Sequence, residues 1–383
     1  MTYTLYGMAA SLYTARVRSY MRINGVPFVE LKAGGEEFVR QIVPQLGRWI
    51  IPVIKTPSGE IIQDGADIID HLDAAGFSRH PVYPQAPQLL ALAHLFELFG
   101  SHGLLRPAMH YRWNFDEENL AFIRNAFRDV LPSGLPREAE DAVFAQASGR
   151  MRQATVAFGV NPGTHALVEQ RYTQFLALFD RHLADHPFIL GGHPTLADYG
   201  MIGAMYAHLG RDPAPLHLMQ TTAYNVFRWT ERMNMRESFI DENHARAGGR
   251  LFAADDLPDT LTTLMQFITA DYLVEIAAHV EHANAWLCGE PAELGLPPDA
   301  RPQAKSLGLA PFTWHGAPIE TVVLPYRFYL LQRLQDAVDR QDAGARAAIR
   351  SLFASTGGDR LLDLRTSHPV VRIGNREVWG EQR

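Results

Sequence analysis

Residues 3–7, YTLYG, alternate and are rich in β-formers, which predicts a strand. Leu12, Ala15, Tyr20 and Ile23 then recur at helical spacing behind Ser11, and Asn24-Gly25 stops the pattern. PFVELK reads as a second strand, and GGEEFVRQIVPQLGR as a loop with a short helix. IIPVI and EIIQ form a hairpin around KTPSG, and GADIIDHLDAAG is a helix ending near Gly76. The order β-α-β-α-β-β-α predicts a small α/β layer with a mixed sheet.

HPVYPQAP, with three prolines, reads as a linker over residues 80–87. Helical periodicity follows. QLLALAHLFELFGSHGLLRPAMHYRW predicts one long helix kinked near Gly103 or Pro107. EENLAFIRNAFRDVL, ALVEQRYTQFLALFDRHLA, TLADYGMIGAMYAHLG and AYNVFRWTERM continue the pattern. DTLTTLMQFITADYLVEIAAHVEHANAWL is a further long helix, and GEPAELGLPPDARPQAKSLGLAP a surface loop rich in proline and glycine. FTWHGAPIETVVLPYRFYLLQRLQDAV reads as a hairpin leading into a helix, AGARAAIRSLFAST as a helix, and PVVRIGNREVWG as a last hairpin turning at Gly374-Asn375. The expected domains are 1–78 (α/β), 87–240 (all-helical) and 241–383 (a mostly helical extension with hairpins).

The 383 residues exceed what one compact core usually holds, in keeping with this division. The hydrophobic share of 47% and charged share of 20% are those of an ordinary globular protein. A net charge of −7 with no basic block does not point to a nucleic-acid or anionic-membrane partner. No basic-then-apolar leader and no long apolar run stands out, so a cytoplasmic protein is expected. The single cysteine, Cys288, excludes an intrachain disulfide.

Pro52 interrupts IIPVI, where its neighbours ask for a buried strand. A proline cannot donate to a strand ladder, so an edge or bulge is its ordinary place. Taken with Ser11 before LYTAR, with QDGADIIDHL and with PFILGGHPTLADYGMIGAMYAHL, the segment GRWIIPVI resembles the soluble glutathione transferases. The resemblance covers about the first 235 residues. It implies a thioredoxin-like α/β N-terminal domain and an all-α C-terminal domain, here extended by a helical and β-hairpin lobe.

The resemblance further implies glutathione as co-substrate, no metal, a small apolar electrophile as second substrate, and a homodimer. Pro52 would follow a cis bond and turn the backbone of Ile51 towards glutathione, as an added strand would sit. Ser11 falls at the position of the family's catalytic serine or cysteine, and is equally suited to a plain helix cap. Tyr6 is the rival thiolate donor or a core aromatic; Tyr13 and Thr14 lie one turn into the helix. Asp64 and Gly65 match the pair that holds the γ-glutamyl end, with glycine here in place of serine. Gln63 and Lys32 are weaker candidates for carboxylate contacts. Arg106, Met109, His110, Tyr111 and Trp113 are expected to line the second-substrate pocket or to pack in the core.

Thr195 and Asp198 form a capping-box pattern and are assigned to folding. Glu275, His279 and His282 share one helix face, a metal-like spacing that sixteen histidines make common by chance. Two functions stand against each other: a glutathione transferase-like enzyme, or a binding protein that keeps the fold without turnover. The enzyme is the first reading, and Gly65 and the long extension speak for the second.

Overall fold

The structure, a computed structural model, describes residues 2–131, 134–236, 244, 249–289 and 306–381. Most of the Pro- and Gly-rich stretch before the last lobe lies outside the described residues.

The first unit runs β1 (Tyr3–Gly7), α1 (Leu12–Ile23), β2 (Phe28–Lys32), a short α2 (Val43–Leu46), β3 (Val53–Lys55), β4 (Ile61–Gln63) and α3 (Gly65–Ala74). Its sheet order is β2-β1-β3-β4, parallel between β1 and β2 and antiparallel elsewhere. The strand period of two divides the side chains between two faces. Tyr3, Leu5 and Ile54 enter the main core, whereas Tyr6 and Val53 join a separate cluster with Phe38, Ile42 and Leu46.

The helical unit comprises α4 (Pro87–Leu98), α5 (Leu105–Trp113), α6 (Asp116–Arg128), α7 (Arg137–Val156), α8 (His165–Asp185), α9 (Leu196–Ala207), α10 (Pro213–Thr222) and α11 (Tyr224–Arg232). A π-helical turn over Phe99–Gly103 separates α4 from α5, so the predicted kink falls at Gly103 and α5 runs on through Pro107. The helices α4, α9 and α1 meet closely. A Cβ on Gly100 would lie 2.6 Å from the Gly200 carbonyl oxygen, and one on Gly203 2.8 Å from that of Leu12. The sequence periodicity missed α7 and α10. In α7 only Phe144, Ser148 and Thr155 are buried, too sparse a stripe to read as a helix.

Asp198 anchors this unit. It closes the capping box with Thr195 and also accepts from Ile189 N–H and Trp229 Nε1, at 3.0 and 3.1 Å. Burial pushes its carboxyl up to about 6.

The extension contains α12 (Asp259–Gly289), the hairpin β5 (Leu309–Trp314) and β6 (Ala317–Val322), α13 (Pro325–Asp339), α14 (Ala343–Ser355), and the hairpin β7 (Val370–Ile373) and β8 (Arg376–Trp379). Gly374 and Asn375 both take positive φ at the last turn, as a two-residue hairpin requires. The main core runs without a break from Tyr3 to Trp379, so the extension shares the core of the first two units.

That docking is heavily charged. Arg333 of α13 forms a two-bond ion pair with Asp70 of α3 and lies 3.7 Å from Glu97 of α4, which is itself paired to Arg16 of α1. On the other side, Arg106 and Arg327 both bind Glu275 of α12, at 2.5 and 2.7 Å. No helix among the described residues is long and apolar enough to cross a membrane. No group of three metal-ligating side chains occurs among them either: Glu275 is spent on two arginines, His279 meets Thr321 and Arg327, and His282 faces the Leu307 carbonyl.

Candidate active site

The Ile51–Pro52 peptide is cis. The N–H and C=O of Ile51 enter no hydrogen bond among the described residues. Immediately beyond β4, Asp64 takes φ 99°, a conformation rarely occupied by residues other than glycine. Its amide donates to the Pro52 carbonyl at 3.5 Å, and its Oδ1 accepts from Ala66 and Asp67 N–H at 2.8 and 3.4 Å. Asp64 is thus the N-cap of α3, with a carboxylate where the helix end carries positive partial charge.

Ile51, Pro52, Gln63 and Asp64 line one cleft of about 440 Å³. That size lies within the usual range for small-molecule sites. Trp49, Ile50, Met151, Leu324 and Pro325 give it apolar walls, while Tyr13, Arg48, His102, Tyr326 and Glu377 supply polar groups.

The extension completes this cleft. Tyr326 donates to Asp64 Oδ1 at 2.9 Å. Arg372 binds Asp67 through Nε at 2.6 Å, and its Nη2 reaches both the carbonyl and the side-chain oxygen of Gln63 at 2.9 Å. Asn375 pairs with β4 like a short added strand: its Oδ1 accepts from Gln63 N–H at 2.8 Å and its Nδ2 donates to the Ile61 carbonyl at 3.2 Å. Arg48 joins Glu377 at 3.1 Å.

The remaining expected residues lie elsewhere. Ser11 Oγ accepts from Thr14 N–H at 3.1 Å, as a helix cap does, and Ser11 is not among the residues lining the cleft. Tyr6 points to the opposite sheet face, packed on Phe38, because it lies one residue out of phase with Leu5. Burial raises its pKa, with Glu37 adding to the shift. Lys32 donates to the Leu131 carbonyl at 2.8 Å and lines a second, more polar hollow with Arg18, Arg22 and Arg211. Gly65 has room beside it; an added Cβ would meet Arg16 Cδ at 3.4 Å.

None of the five residues expected on the substrate wall lines the cleft. Arg106 lies under the Glu275 pair and against the Trp314 ring. Met109 and Trp113 pack with Ile123 and Phe144. His110 meets Glu169 at 2.9 Å, and Tyr111 stacks on Phe115 in the core.

Two residues of the cleft were less visible. Tyr13 sits next but one after the helix cap and is 38% exposed. His102 is only 3% exposed, yet it lines the cleft and neither ring nitrogen has a hydrogen-bond partner. The signal for it was the pair of glycines in FGSHG, inside an otherwise apolar helix.

A family model described as the glutathione S-transferase N-terminal domain matches residues 5–79, and one described as the C-terminal domain matches residues 151–232. The chain therefore carries a glutathione S-transferase N-terminal domain and a glutathione S-transferase C-terminal domain. It is similar to glutathione transferase GSTFuA3 from Phanerochaete chrysosporium, at 13% identity over 63% of this chain and 99% of that one, with a TM-score of 0.43. CsGST63524 of Ceriporiopsis subvermispora, solved in complex with glutathione, shares 18% identity over 62% of this chain and 99% of its own, with a TM-score of 0.40. The beta-etherase LigF from Sphingobium sp. strain SYK-6 shares 13% over 65% and 99%, with a TM-score of 0.43. A comparison with curated proteins found no match.

Proposed function

We propose that the protein is a glutathione-dependent transferase that joins the glutathione thiol to a small, largely apolar electrophile. One observation carries the reading. Ile51, with its unengaged backbone beside Pro52, shares a single cleft with Asp64 at the head of α3 and Tyr13 near the head of α1. A tripeptide laid along Ile51 would exchange main-chain bonds with it as an added strand. Its amino end would meet the Asp64 carboxylate, and its carboxylate the N–H groups at the head of α3.

The sulfur would then face Tyr13. A free thiol has a pKa of about 8.5 and must lose its proton to act as a nucleophile. A tyrosine phenol ordinarily titrates at about 10 and is protonated at neutral pH, so Tyr13 can donate to the sulfur anion. Ser11 would act through the backbone, by holding the helix end whose N–H groups favour an anion. The thiolate attacks the electrophilic carbon; a C–S bond forms and the leaving group departs with its electron pair.

A second reading, a binding protein without turnover, is favoured by a different observation. Tyr326 and Arg372 already engage Asp64, Gln63 and Asp67, the groups that would hold the γ-glutamyl end. The ultraviolet thiolate band of added glutathione separates the two. The enzyme reading expects the band with wild type and its loss with Tyr13→Phe. No band with either protein would favour the binding role.

A further inference from the structure

We infer that His102 recognises the second substrate, its imidazole donating a hydrogen bond to an oxygen that carries or develops negative charge. A carbonyl or a departing phenolate has that chemistry. The inference rests on the proposed function only in taking the cleft as the substrate site.

Three observations support it. The ring is buried at the cleft wall and both nitrogens lack a partner, although an unpaired buried polar group is costly to keep. Of the other charged and amide groups of the cleft, Gln63 is engaged with Arg372 and Asn375, Asp64 with Tyr326, and Arg48 with Glu377, although the Arg48 Nε has no partner. A ligand that fills the cleft therefore has to supply the partner for His102. The residue is also carried on the π-helical turn Phe99–Gly103, a rare geometry that occurs frequently at functional sites.

The surroundings fix the kind of partner. The groups facing the ring from the extension are Arg327 and Tyr326 of α13 and Glu275 and His279 of α12. Arg106 completes this group, so two guanidinium groups stand against one carboxylate. Burial and the Arg327 charge hold the imidazole well below its ordinary pKa, so it is neutral and offers one N–H and one lone pair. Behind the ring, away from the cleft, the two guanidinium groups exceed the one carboxylate, and a neutral donor so placed favours an acceptor that is becoming anionic. Where a phenolate leaves, the C–S bond forms, the C–O bond breaks and its electron pair stays on oxygen. His102 shares its proton without giving it up, and water protonates the product.

The test uses the full chain and 4-nitrophenol, whose absorbance reports its ionisation. The wild type is expected to bind the probe and to shift its spectrum towards the phenolate. His102→Phe is expected to weaken binding by about tenfold or more and to abolish the shift. His102→Gln, which keeps an N–H donor, should recover part of both, with circular dichroism confirming that each variant folds. Equal binding by wild type and His102→Phe, or no binding by the wild type at millimolar probe, would overturn the assignment. Glutathione is titrated into the wild type separately. Absence of its heat together with His102-dependent probe binding would sink the transferase reading and leave His102 standing.

Discussion

Tyr326 donates a hydrogen bond to Asp64 Oδ1 at 2.9 Å, across 262 positions of the chain. It ties α13 of the extension to the N-cap of α3, at the carboxylate proposed to receive the γ-glutamyl ammonium. The extension is thus a wall of the cleft, and changes made in it should be felt at the head of α3.

Tyr326→Phe removes that donor and leaves the ring in place. Stability should fall by about 1 kcal/mol, the usual net worth of one such bond. Glutathione affinity should rise by about fivefold, because Asp64 loses a competing partner. Denaturant unfolding and titration calorimetry check the two halves. Unchanged or weaker glutathione binding would mean that Tyr326 does not compete.

Gly65→Ser restores the hydroxyl that the family resemblance expects. The added Cβ meets Arg16 Cδ at 3.4 Å, an ordinary contact, so the melting temperature should hardly move. The new hydroxyl should tighten glutathione binding by about fivefold or more, the worth of one hydrogen bond to a charged group. A destabilised protein with no gain in affinity would contradict this.

Glu97 is fully buried and paired to Arg16, with His94 at 3.1 Å and Arg333 at 3.7 Å. The Arg16 and Arg333 charges and the hydrogen bond to His94 hold its carboxyl well below the usual carboxylate range against the cost of burial. Glu97→Gln keeps the shape and leaves the Arg16 charge without its counter-charge. The expected loss is about 3–5 kcal/mol in urea unfolding. A loss under about 1 kcal/mol would show that water or rearrangement reaches Arg16.

Acid should destabilise the fold early. Burial lowers the pKa of His182 to about 3 and of His279 to about 2, and holds His102 and His208 well below 6.5. The folded state keeps these rings neutral while the unfolded chain protonates them near 6.5. Their contribution is therefore whole above that pH and is lost as pH falls through it. Each ring costs about 1.4 kcal/mol per pH unit there. Asp198 and Asp212, both raised to about 6 by burial, act in the opposite sense over the lower part of the range. The four rings outnumber them, so the melting temperature should drop between pH 6.5 and about 5. A flat profile would mean that these histidines are hydrated.

Much of this was legible from local pattern. The strand alternation of Tyr3–Gly7, the stop at Asn24-Gly25, the hairpin turn at Gly374-Asn375 and the capping box of Thr195 and Asp198 are short-range features, and each stands as read. Asp64 was singled out through the family resemblance of QDGADIIDHL, and it lines the cleft. The residues that complete the cleft were not legible. Tyr326, Arg372 and Asn375 reach partners about three hundred positions away, and no spacing along the chain encodes such a meeting. The five residues of α5 were placed on the pocket wall by the family resemblance, with core packing as the alternative, and none of them lines this cleft.

The most direct test of the account is glutathione binding by titration calorimetry, on wild type and on Asp64→Asn. Asparagine is as good an N-cap as aspartate, so the variant keeps α3 while removing the charge. The account predicts measurable binding by the wild type and weakening by about tenfold or more in the variant. Equal binding by both, or no heat with either at millimolar glutathione and at two temperatures, would contradict it.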